Sequence, residues 1–253
     1  MRRILYYLGA FAVSSTCHAE QFEFSYPPPK DASQLESVTL WSTQYRIHTA
    51  SAIAPAEDTV ELRRRDGTGT GLSLRKSDWC NAAMEGTVAV LKDNGAVVTF
   101  NVDGLQDAEQ VDCSFIFRKT EPAVLKKLSR QVFAEVSGAR IYGLGTNGYR
   151  LVPFRTVAVD QSQFSPGTVF YIEGLRGKKL RLPDGTFAMH DGYVFAGDKG
   201  GSIVGNHIDF FSGIESRNPA PEIITSNKDK TFKALIVTDE KITSALQDLH
   251  QKK

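Results

Sequence analysis

Apolar and polar positions alternate along TLWSTQYRIHT (39–49). Trp41, Thr43, Tyr45 and Ile47 share one face and Ser42, Gln44, Arg46 and His48 the other, which predicts a strand. GTVAVL and AVVTFNV flank Lys92-Asp93-Asn94-Gly95, the signature of a hairpin turn. SDWCNAAMEG (77–86) reads as a short helix with Ser77 as its N-cap and Gly86 as its stop. Across 121–136, Val124, Leu125, Leu128, Val132 and Phe133 recur at helical spacing, and GLGTNG (143–148) ends that segment. From Tyr149 the strands become short and dense: YRLVPFRTVAVD, then TVFYIEGL after the turn QSQFSPG, two runs within DGTFAMHDGYVFAGD, and NHIDFFSG. Past Gly213 a proline-containing connector leads to a strand, TFKALIV, and to DEKITSALQDLHQ, where Ile242, Ala245, Leu246 and Leu249 line one face of a terminal amphipathic helix. Many short strands and few helices predict a mainly β chain built on a small closed barrel over 39–213, with a helical insertion around 121–136 and a strand-and-helix extension over 214–253.

The start of the chain has a different character. Arg2 and Arg3 precede the apolar run Ile4–Val13, which is too short to span a bilayer, and Cys17-His18-Ala19 ends in a small-x-small pattern. Residues 1–19 therefore read as a signal peptide cleaved after Ala19, placing the mature protein in the periplasm or outside the cell. A lipid anchor on Cys17 ranks second, because Ser14-Ser15-Thr16 lacks the expected leucine. No later stretch is apolar enough for a membrane helix. The prolines of SYPPPKDASQ make 20–38 an extended lead-in.

The 253 residues are enough to bury a sizeable core, and 41% hydrophobic with 23% charged residues is ordinary globular composition. Losing Arg2 and Arg3 takes the formal charge from +1 to −1, which leaves no electrostatic case for nucleic acid. Arg63-Arg64-Arg65, flanked by Glu61 and Asp66 and followed by the flexible loop DGTGTG (66–71), reads as solvated. The two cysteines left after cleavage, Cys80 and Cys113, predict a disulfide in an exported protein, against the alternative of two buried thiols.

The candidate chemistry lies in three aspartates. Asp160 ends the apolar run TVAVD, Asp198 precedes Gly200-Gly201, and Asp209 sits inside HIDFF. In that strand Ile208 and Phe210 point one way and His207, Asp209 and Phe211 the other. A carboxyl between two large apolar neighbours is shielded from water, which raises its pKa, and Asp198 or Asp160 nearby would raise it further. Such a group can serve as a general acid near neutral pH, and glycines let a large ligand approach the backbone. Read structurally instead, Asp198 caps a turn and Asp209 bonds loop amides. His48, His190 and His207, with Asp191 or Asp198, lack close ligand spacing such as HxxxH and read as hydrogen-bonded strand histidines; neither metal nor cofactor is expected.

AVD (158–160), PGT (166–168) and GDKGGSIVGNHIDFF (197–211), in this order, resemble the 3D domain, named for three aspartates and shared by MltA-type lytic transglycosylases. LWSTQY is similar to the first barrel strand of such proteins, and SDWCNAAMEGTV and VDCS resemble an exported subgroup. The resemblance covers roughly 150–213. It implies a double-psi β-barrel with a groove for peptidoglycan glycan strands, Asp209 as catalytic acid and base, and Asp198 and Asp160 as its partners. Thr43, Tyr45 and Trp41 would line the groove, although a strand tryptophan is more often core. The implied reaction cuts the MurNAc–GlcNAc bond to leave 1,6-anhydroMurNAc ends. A wall-loosening or binding barrel that cuts nothing, and a purely structural envelope protein, are the other readings.

Overall fold

The computed structural model describes residues 24–137, 141–182 and 185–251. The expected leader 1–19, with Cys17, lies outside them. Among the described residues no helix is long and apolar enough to cross a membrane.

Strand β1 (Ser37–Tyr45) opens the fold, and the alternating run does not continue as one strand: it breaks at Arg46–Ile47, and β2 (His48–Ser51) joins another sheet. A hairpin follows, β3 (Thr59–Arg63) and β4 (Gly69–Arg75), so half of the expected DGTGTG loop is strand. Helix α1 (Lys76–Glu85) has its N-cap two residues early, at Arg75 rather than Ser77 and without a side-chain cap, and stops at Gly86 in the left-handed conformation a C-terminal glycine allows (φ 79°). The hairpin of β5 (Thr87–Leu91) and β6 (Val97–Leu105) forms around Lys92–Gly95. The helical insertion expected around 121–136 is corrected: α2 (Pro122–Leu128) ends at Ser129, and Val132 and Phe133 lie in β7 (Gln131–Glu135), paired with β6. A short apolar run suits a strand covered on both faces as well as a helix, and the sheet edge offered by β6 decides it.

The remaining strands are β8 (Thr156–Val159), β9 (Val169–Tyr171), β10 (Lys179–Arg181), β11 (Phe187–Met189), β12 (Tyr193–Asp198), β13 (His207–Phe211) and β14 (Phe232–Ile236), before helix α3 (Glu240–His250). Five of them join β1 to close a six-stranded barrel in the order β1-β13-β8-β12-β9-β14. The pairs β1/β13 and β8/β12 are parallel and the rest antiparallel. The barrel is therefore not confined to 39–213, because β14 from the expected extension fills the place between β1 and β9. Conversely, β2, β5, β6 and β7 form a four-stranded sheet of their own inside that range.

Alternation along each strand fills the barrel with Leu40, Val157, Val159, Phe170, Val194, Ile208, Phe210 and Ala234. A second core, with Trp79, Phe100, Phe133, Val88 and Leu74, belongs to the inserted sheet, and the Cys80–Cys113 disulfide staples α1 to the segment after β6 within it. Ile47, Ala89, Tyr142, Leu151 and Phe211 pack together at the seam between insert and barrel. Helix α3 is capped by the Asp239 carboxylate and lays Ile242 and Leu246 against Val169, Tyr193 and Phe195.

The proline-rich lead-in is pinned rather than loose. Arg155 is fully buried, forms a fork of 2.6 and 2.7 Å bonds to Asp191, and carries the Phe24 ring 4.1 Å from its guanidinium carbon. Tyr26 N–H donates to the same carboxylate, and Tyr193 Oη donates to Pro27 O.

Two outcomes follow. A chain ended at residue 225 lacks β14 and should give no dispersed amide NMR spectrum; a native-like spectrum would show that the barrel closes without it. Cys113→Ser should lower stability by roughly 3 kcal/mol, as expected for a loop of about this length, measured by denaturant titration; an unchanged midpoint would show that the staple contributes nothing.

Candidate active site

The parallel register of β1 and β13 sets Trp41 opposite His207, Thr43 opposite Asp209 and Tyr45 opposite Phe211. Ile208 and Phe210 point into the barrel, so Asp209 faces outward, as the alternation predicts. On its other side Asp209 pairs with Ala158 of β8. Ala158 also pairs with Asp198 of β12, because the β8–β12 register slips between Ala196 and Asp198. That slip inserts Gly197 as an extra residue and turns Asp198 to the outer face, where simple alternation would bury it. Thr43, Asp209, Ala158 and Asp198 thus form a row across three strand boundaries, with a small side chain between the two acids.

Thr43 Oγ1 lies 2.6 Å from Asp209 Oδ1 and 2.9 Å from His207 Nε2. Tyr45 Oη donates to Asp198 Oδ2 at 2.8 Å, and the Lys199 amide donates to Asp198 Oδ1 at 2.8 Å. The loop 143–148 closes over Asp198: the Thr146 amide bonds its carboxylate. A Cβ on Gly145 would meet Gly197 O at 2.3 Å and Asp198 Oδ1 at 3.1 Å, so only glycine lets this loop approach. From the insert, Glu85 at the C-terminal end of α1 faces the same cluster.

Loss of water is the largest influence on Asp209, lifting its carboxyl from the ordinary 3.8 to about 6. The Thr43 hydroxyl pulls it down, and the charges of Glu85 and Asp198 push it up. Burial also raises Asp198 and Glu85, and burial together with Asp198 holds the Tyr45 phenol well above its usual range. Three carboxyls therefore share a site in which each is biased toward its neutral form.

The structure does not bring all the expected residues together. Asp160 is a loop brace: its Oδ1 accepts from Ser162 N and Oγ, its Oδ2 from Gly205 N, and these bonds hold it below the usual carboxylate range. Of the two acids expected to raise Asp209, it is Asp198 whose charge does so. Gly200 packs tightly on Ile203 within its own loop, while Gly201 faces open space. Trp41 is half-buried, outside the barrel core, stacked on His207 with centroids 3.6 Å apart and planes 9° apart. His207 was legible as a site residue from its place two before Asp209 on one strand face; Glu85 and Gly145 carried no signal, since their partners lie far off in the chain. A cavity of about 610 Å³ lies elsewhere, between the lead-in and α3, lined among others by Tyr26, Pro28, Lys30 and Asp239.

The outer face of the barrel thus gathers acids from β12 and β13. Residues 155–220 match the 3D domain. MltA from Escherichia coli, solved with bound chitohexaose, is similar at 16% identity, a TM-score of 0.51, and coverage of 78% of this chain and 71% of that one. A membrane-bound lytic murein transglycosylase from Agrobacterium tumefaciens (16% identity, TM-score 0.46, coverage 79% and 73%) and MltA from Neisseria gonorrhoeae (12%, 0.45, 79% and 72%) are also matched. No curated protein sequence matches the chain. This chain thus carries a 3D domain on a fold shared with E. coli MltA.

The raised Asp209 value fixes a stability signature. A carboxyl whose folded pKa exceeds its unfolded one contributes stability fully below the unfolded value, near 4, and loses it as pH rises through about 6. Asp209→Asn should therefore melt roughly 5–10 °C above the parent at pH 8 and level with it at pH 4 by thermal denaturation. A variant less stable at pH 8 would contradict the burial argument.

Proposed function

We propose that this protein is a peptidoglycan lytic transglycosylase with Asp209 as its one acid–base group. The observation that carries the reading is the outward-facing carboxyl at about 6, bonded to Thr43 and flanked by Asp198. The likeness in fold to E. coli MltA, solved with bound chitohexaose, supports it, as does the match of 155–220 to the 3D domain. The two parallel pairs within six strands fit a double-psi barrel.

Ordinary glycosidases need two carboxyls, one acid and one base or nucleophile. Here the substrate supplies the nucleophile. Asp209 gives its proton to the glycosidic oxygen as the C1–O bond of MurNAc breaks. The C6 hydroxyl oxygen of the same sugar bonds to C1, and its proton passes to the Asp209 carboxylate. The products are a free GlcNAc 4-hydroxyl end and a 1,6-anhydroMurNAc end, with Asp209 back in its acid form. Tethered attack of this kind reaches effective concentrations of roughly 10⁵ M or more, which is why water need not be activated. Asp198, held by Tyr45, keeps Asp209 protonated by like charge and faces the positive charge that develops on the sugar. Asp160 holds the loop bearing Gly200 and Gly201, which leaves backbone open to a glycan chain, and Trp41, Thr43 and Tyr45 line the groove. The leader carries the chain to the wall, a compartment in which the Cys80–Cys113 bridge persists.

Purified protein incubated with peptidoglycan sacculi should release anhydromuropeptides detectable by mass spectrometry, and Asp209→Asn should cut the rate by about 10³-fold. Binding to sacculi with no soluble product would instead establish the non-cutting barrel.

A further inference from the structure

The hairpin of β10 and β11 is a two-stranded sheet of its own, outside the barrel, and its two faces are unlike. Lys179 pairs with Met189, Leu180 with Ala188 and Arg181 with Phe187. Opposed residues point the same way, so Lys179, Arg181, Phe187 and Met189 share one face and Leu180 and Ala188 the other. The second face packs with Phe154, Leu182 and Phe24. The first is open: Phe187 is 60% and Met189 55% exposed. The solvent face of an antiparallel pair is ordinarily polar, yet here two large apolar side chains are interleaved with two cations. Lys179 reaches diagonally across the face, its Nζ 4.2 Å from the Phe187 ring centroid. Arg181 approaches Glu215 only to 3.9 Å and stays 66% exposed.

We propose that this face is a docking surface for an anionic phospholipid bilayer, acting through its own side chains and needing no covalent anchor. The proposal does not rest on the lytic reading. Charge and shape both select the occupant. The long stems of Lys179 and Arg181 let their charges stay among lipid phosphates while Phe187 and Met189 enter the acyl boundary. A fluid lipid surface also accepts cations and apolar groups in alternation, without a matching pattern of its own. The place where the chain enters the fold points the same way. Phe24, the first described residue, packs on the buried side of this hairpin. Ten residues, 14–23, link it to Val13 at the end of the apolar run. Even fully extended, that link spans at most about 40 Å, so a leader inserted at export holds the hairpin close to a bilayer. The hairpin leads into Tyr193, the first residue of β12, and Asp198 is the last. Docking here leaves the acids at the far end of that strand, about 17 Å along it.

Sedimentation with vesicles tests this on the chain freed of its expected leader, residues 20–253. It should pellet with mixed phosphatidylglycerol and phosphatidylcholine vesicles and stay in solution with phosphatidylcholine alone. Lys179→Gln combined with Arg181→Gln should weaken binding about 30-fold. Phe187→Ser combined with Met189→Ser should weaken it by about tenfold or more. All four side chains face outward, so both variants should melt with the parent, which separates lost docking from lost folding. In Phe187→Trp, fluorescence should shift to the blue, relative to the parent, when phosphatidylglycerol vesicles are added. A parent that stays in solution, either double variant binding as well as the parent, or an unshifted Phe187→Trp spectrum overturns the proposal. So does a dimer formed without lipid and abolished by Phe187→Ser, which would assign the face to a second copy of this chain.

Discussion

The parallel pairing of β1 with β13 sets Thr43 beside Asp209 across 166 residues of chain. Both strands bury their alternate side chains in the barrel, so a slip of one residue would turn Asp209 inward among Val157, Phe170 and Val194. The apolar core and the acid are therefore specified by the same register. The hydrophobic effect holds the strand in place, and the polar face inherits its geometry.

That geometry is electrostatically unfavourable. Asp198, Asp209 and Glu85 approach one another where burial already disfavours charge. The offsetting interactions lie elsewhere: the barrel interior, the insert's own core with its disulfide, and the fork between Arg155 and Asp191 under Phe24. Replacing a buried ion pair by apolar groups is often neutral, so the fork is better understood as pinning the lead-in to one place than as a store of stability. The insert supplies Glu85 and the seam that shields the acids, which ties the two sheets to one site.

Much of this was legible in single segments. HIDFF showed which way Asp209 would face, Lys92–Gly95 showed its hairpin, Gly86 its helix end, and Cys80 with Cys113 their bond. Each of these is a local rule of period, turn chemistry or compartment. Where a segment satisfied two rules, the local reading failed: Val132 and Phe133 have helical spacing, yet the free edge of β6 took them as strand. Asp160 looked like a third member of an acidic set, but its carboxylate is occupied by Ser162 and Gly205 amides. The bulge at Gly197, which turns Asp198 outward, leaves no mark in the alternation of YVFAGD.

The order of apolar and polar residues determined that this chain would be a mainly β protein with an outward carboxyl on its penultimate barrel strand, because side chains alternate with a period of two wherever a strand forms. Which strands became neighbours was decided only by closure of the barrel. β14 had to arrive from beyond Gly213 to seal β1 against β9, and only then did Thr43, Ala158 and Asp198 line up with Asp209. Pairing depends on the fit of faces and edges between distant segments, and neither Glu85 nor Gly145 has any sequence neighbour that announces its partner.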